Sequence, residues 1–132
     1  MLYVMETFFS RLRRCFRREP IPPVSEWFSV SWTDDEVALD VRPPGQKPWT
    51  AKFRWKDIIR ICFKAEDLGV SDGIYVFTST RPESFVIPTE AKGGSEFWGQ
   101  IIDRRLFDAE LAIKAASAAE GLFFWPPIEA EQ

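Results

Sequence analysis

Hydrophobic positions along this 132-residue chain keep one period at its two ends and another in the middle. In residues 1–19, Met5, Phe8, Phe9, Leu12, Cys15 and Phe16 recur at three- and four-residue steps, with arginines on the opposite side. That spacing predicts an amphipathic helix with a basic face. Pro20, Pro22 and Pro23 stop it, so residues 20–26 read as a stiff, proline-rich linker. From Trp27 the pattern shortens to strands. "WFSVSW" alternates imperfectly and "TDD" at 33–35 reads as a tight turn. "EVALDV" then places Val37, Leu39 and Val41 on one face. After the loop "RPPGQKP", Trp49, Ala51, Phe53 and Trp55 alternate as one side of a half-buried strand.

The stretch "FRWKDIIRICFKAED" at 53–67 fits two periods. As a helix it would share one face among Trp55, Ile58, Ile59, Cys62 and Phe63, but Ile61 would fall on the polar side. Three isoleucines in four positions also disfavour a helix, because β-branched side chains lose rotamer freedom there and pack well on sheets. The reading is therefore a strand to Trp55, a kink at Lys56-Asp57, and a new strand over 58–64 paired antiparallel with 74–79. "IYVFTS" and "ESFVIP" are further strand-like runs beyond the turn "LGVSDG".

Helical spacing returns in "KGGSEFWGQIIDRRLF", with Phe97, Trp98, Ile101, Ile102 and Arg105 on one side and Ser95 as N-cap. Asp108 is placed to cap a second helix, "AELAIKAASAAE", and Gly121 to end it. "LFFWPP" and an acidic tail, 127–132, complete the chain.

"FRWKDIIRI" and "SFVIPTEA" carry a resemblance. A strand, a Trp-x-Asp-Ile kink, a second strand, an aromatic strand and an Ile-Pro strand end resemble small bacterial PH-like and GRAM-like domain proteins over residues 27–107. The resemblance implies an α+β fold: a strongly bent antiparallel sheet of about six or seven strands, then C-terminal helices. Residues 27–126 form the single PH-like domain on this reading. The helix at 109–120 and the "GLFFWPP" end depart from the pattern. None of the motifs is catalytic, and such folds host lipid binding, peptide binding and scaffolding alike.

Composition sharpens this picture in three places. Aromatic content is 15%, with twelve Phe and six Trp, more ring surface than a small core requires. Charge is uneven: Arg11, Arg13, Arg14, Arg17 and Arg18 against Glu6 make residues 1–18 net +4, so the overall −3 leaves −7 on the remainder. A body that acidic is a poor nucleic-acid binder and suits a basic protein partner. The third point is chemical. The chain has no histidine, so no Ser-His or Cys-His nucleophile can be assembled from it.

The other reactive groups give little. Cys62 sits among apolar residues and reads as an inert packed thiol. Cys15 lies beside arginines that would lower its pKa, and is a candidate for acylation. Asp34, Asp35 and Glu36 cluster in a turn. Gly93 and Gly94 lack the neighbours of a phosphate loop and read as flexible lead-in to the helix. Arg42, Lys47, Lys52 and Arg54 flank the proline loop, where the resemblance implies a phosphoinositide site; a solvated edge is the better explanation of four scattered charges. No catalytic residue, cofactor or metal ligand is assigned.

Two functions follow. The first is a non-catalytic protein-binding module, of the kind that includes immunity-type inhibitors of bacterial toxins, with Trp27, Trp32, Trp49 and Trp125 as contact rings. The alternative is a peripheral membrane protein anchored by Phe8, Phe9, Arg11, Leu12, Arg13, Arg14, Phe16, Arg17 and Arg18 on an anionic surface. Packing of that same stripe on the body is the competing expectation. Two cysteines in no disulfide pattern, and no apolar run of membrane-spanning length, point to the cytoplasm, with the inner membrane face as the alternative location.

Overall fold

The computed structural model describes residues 22–66 and 71–128. The helix expected over 1–19, with its membrane-binding residues, lies outside them, as do residues 20 and 21 of the linker and 129–132 of the tail. The first sheet is an antiparallel meander of β1 (Phe28–Trp32), β2 (Glu36–Val41) and β3 (Trp49–Arg54). β4 (Ile58–Ala65), β5 (Gly73–Thr78), β6 (Arg81–Pro88) and β7 (Gly121–Trp125) make a second sheet in the order β6-β5-β4-β7. Helices α1 (Gly94–Asp103) and α2 (Ala109–Ala116) lie between β6 and β7 in the chain.

The α+β class and the antiparallel pairing agree with the sequence. Two details differ. The strands divide into two sheets instead of one bent sheet, and a seventh strand follows the helices to pair with β4, Cys62 opposite Phe124.

The division occurs at the expected kink. Trp55–Asp57 forms a single 3₁₀ turn between β3 and β4. Trp55 is held there twice: its backbone N–H donates to the Asp35 carbonyl at 3.1 Å and its indole N–H to the Thr33 carbonyl at 2.9 Å. The 33–35 turn supplying those carbonyls is closed by Thr33, whose hydroxyl accepts from the Asp35 and Glu36 amides at 3.2 Å. The ambiguous stretch beyond is strand, with Ile61 opposite Val76 and Phe63 opposite Ile74.

Between the sheets lies one core. Phe97 of α1 is fully buried against the rings of Trp55, Trp32 and Phe53, with centroids 5.7, 6.0 and 6.5 Å away. Phe53 stacks on Phe85 at 4.6 Å, joining β3 to β6 across the two sheets. Trp98 bridges Phe63 and Phe107. On the first sheet the opposite face carries Ser29, Ser31, Asp40, Lys52 and Arg54, the polar side expected where an antiparallel sheet meets water.

Helix ends correct three expectations. Ser95 is not the cap of α1; Gly93 is, at φ 83° and without a side-chain bond. Arg105 does not join the buried side, because α1 ends at Asp103 and Arg105 turns left-handed at φ 62°. The Leu106 amide then donates to the Ile101 carbonyl and the Arg105 amide to that of Ile102, a Schellman closure made with Arg where Gly is usual. Gly121 does not end α2, which stops at Ala116; at φ 143° it opens β7 instead. Asp108 does cap α2, accepting from the Leu111 amide at 3.0 Å.

Candidate protein-binding surface

Pro22 and the 3₁₀ turn Val24–Glu26 deliver Trp27 to the start of β1. Its indole N–H donates to the Pro22 carbonyl at 3.4 Å, and its carbonyl accepts from the Arg42 amide at 2.7 Å. Those bonds hold Trp27 in the core at 7% exposure. The adjacent Phe28 is nearly fully buried and links Trp27 at 6.2 Å to Trp49 at 6.3 Å, the latter edge-to-face. Trp49, at the start of edge strand β3, keeps 45% of its surface in water.

An open groove of about 420 Å³ lies on the β1 side, lined by Ser25, Glu26, Trp27, Phe28, Asp40 and Lys92 among others but not by Trp49. Its wall depends on the free edge of β1. The Lys92 amide donates to the Phe28 carbonyl and the Val30 amide to the Lys92 carbonyl, both at 2.9 Å, so Lys92 extends the sheet by one parallel bridge. Gly93 makes that approach possible, since a Cβ there would lie 2.4 Å from the Val30 carbonyl oxygen. This glycine is a close-contact position and not a flexible lead-in.

Polar side chains share the lining with Trp27 and Phe28. The Ser29 hydroxyl donates to the Asp40 carbonyl at 3.5 Å, and Arg42 forms a two-pronged pair with the Asp40 carboxylate at 3.1 and 3.3 Å. Both partners are well exposed, so the pair orients the rim more than it stabilises the fold. Lys52 is matched by Glu36 at 3.5 Å. Two of the four basic residues near the proline loop thus face carboxylates, which compete with any phosphate for them.

The structure gathers two of the four expected contact rings, Trp27 and Trp49, around Phe28. Trp32 is half-buried at the far end of β1 against Phe97, and Trp125 is half-buried at the end of β7 in the other sheet. Sequence reasoning missed Phe28, Ser29, Asp40 and Lys92 as lining. Lys92 had one usable signal: the Gly93-Gly94 pair after it marks a close backbone approach.

Reactive groups lie elsewhere. Cys62 is fully buried in β4, and burial raises its thiol pKa to about 11 despite a backbone hydrogen bond from β7. Tyr75, its neighbour on β5, is raised to about 12 by burial first and by Glu66 second. Among the described residues the buried polar side chains are Thr78 and Ser84, and no three His, Cys, Asp or Glu side chains group as a metal site. No described helix is long and apolar enough to cross a membrane. No family model, curated protein or solved structure matches the chain.

Proposed function

We propose that this chain is a non-catalytic, PH-like protein-binding module whose contact surface is centred on the exposed ring of Trp49. One observation carries the reading: a tryptophan on an edge strand, braced edge-on by buried Phe28 yet 45% exposed. A braced aromatic loses little conformational freedom on binding, and such rings dominate interface energies. Two antiparallel sheets with a helix packed between them support the PH-like assignment, and β7 is its departure. The −7 carried by residues 19–132 favours a basic partner, drawn in by long-range attraction. In its finer form the proposal is an inhibitor that covers the basic active site of a bacterial toxin.

The test uses the full chain as bait and its captured partner, purified, as titrant. Trp49→Ala should weaken binding by about 2 kcal/mol, roughly thirtyfold, while raised salt slows association. Unchanged affinity for Trp49→Ala, with loss for Trp125→Ala, would move the site to the second sheet and defeat the proposal.

A further inference from the structure

The second sheet has an apolar face that the core does not use. Register places Phe124, Cys62, Tyr75 and Val86 in one row across β7, β4, β5 and β6, with Phe77 and Leu122 beside it. These side chains point away from Ile61, Phe63, Ile74 and Val76, which face the core. Cys62 and Tyr75 belong neither to the main cluster of buried residues nor to the groups packed on it. Yet Cys62 is 0% and Tyr75 2% exposed, while Phe77, Val86 and Phe124 at the flanks are half-buried and Leu122 is 49% exposed. A ring as large as tyrosine is not shielded to that degree by strand neighbours on an open sheet face. Both described helices lie on the other side: Trp98 of α1 packs on Phe63, and Ala112 and Ala115 of α2 join the main core.

We propose that the amphipathic segment at residues 1–18 of this same chain is the cover, laying Phe8, Phe9, Leu12 and Phe16 along the Cys62–Tyr75 row. Dimensions agree. Eighteen helical residues would span roughly 27 Å, and four strands are about 14 Å across between outer axes. Charge agrees as well, since the segment carries +4 and the remainder −7. This inference stands apart from the groove, which lies on the other sheet. It sets a sheet-bound segment against the membrane anchor.

The test reads Cys62 in the full chain carrying Cys15→Ser, so that one thiol remains. In the parent, Ellman's reagent should react very slowly. Adding Leu12→Asp and Phe16→Asp should raise the rate at least about tenfold, because a thiol returning from about 11 towards the ordinary 9.0 gains thiolate by up to about two powers of ten. An unchanged rate would overturn the proposal. Should those aspartates disturb folding, a spin label on Arg14→Cys in the Cys15→Ser chain gives a second reading. Broadening of amides in β4, β5 and β7 within the labelled molecule supports the proposal. Broadening on the first sheet, nowhere, or only in unlabelled chains mixed with labelled ones overturns it, the last meaning a second copy. Binding of phosphatidylglycerol vesicles through residues 1–18 with no change in Cys62 reactivity overturns it too, making the segment an anchor.

Discussion

Replacing Phe97 by Ala should be among the most damaging single changes available in this chain. The ring is fully buried, and its neighbours come from both sides of the kink: Trp32 and Phe53 from the first sheet, Trp55 from the 3₁₀ turn. Truncating a buried Phe costs about 3–5 kcal/mol, and loss of three aromatic pairs at about 0.5–1.5 kcal/mol each places Phe97 near the top of that range. A 132-residue domain has about 7–20 kcal/mol of total stability, so roughly 4.5 kcal/mol is a large share. With an unfolding entropy of about 2.1 cal/mol/K per residue, the melting temperature should fall by about 15 °C. Urea unfolding followed by circular dichroism measures the free energy, provided the slope is unchanged. Trp32→Ala is the comparison, since Trp32 meets the same ring from a half-buried position and should cost distinctly less. A Phe97→Ala loss below about 1 kcal/mol, or a greater loss at Trp32, would refute the packing argument.

Three further outcomes test other parts of the structure. Gly93→Ala should destabilise by about 2 kcal/mol or more, because it meets a left-handed backbone and the Val30 carbonyl together; urea titration checks this. Arg105→Gly should raise stability by about 0.5–1 kcal/mol in the same assay, relieving the left-handed Schellman position. Alkali should weaken the fold. Cys62 and Tyr75 have folded pKa values of about 11 and about 12, above their ordinary 9.0 and 10.0, so the folded state holds protons that the unfolded chain releases. Their stabilisation is intact below pH 9 and is lost progressively to pH 12, a decline that Tyr75→Phe should lessen.

The residues explain why some features were legible and others were not. Alternation of Val37, Leu39 and Val41, and the β-branched run Ile58, Ile59 and Ile61, gave β2 and β4 because side-chain period and rotamer stiffness are local properties. Asp108 was legible as a cap for the same reason. β7 was not, since "LFFW" has no alternation and its strand state depends on β4, far away in sequence. Ser95 misled because the αL Gly93, needed for contact with Val30, fixed the helix start. The groove was half legible. Tryptophans announced themselves by type, but burial separates Trp27 from Trp49, and burial is decided by the Phe28, Arg42 and Pro22 contacts that only the folded chain makes.

The central claim, a binding surface centred on Trp49, is tested most directly by following the indole N–H resonances of the six tryptophans while the captured partner is titrated in. The Trp49 signal should move or broaden most, with Trp27 following through Phe28, while those of buried Trp55 and of Trp98 and Trp125 stay in place. Movement confined to Trp125, or no movement at Trp49 at saturation, would contradict the account.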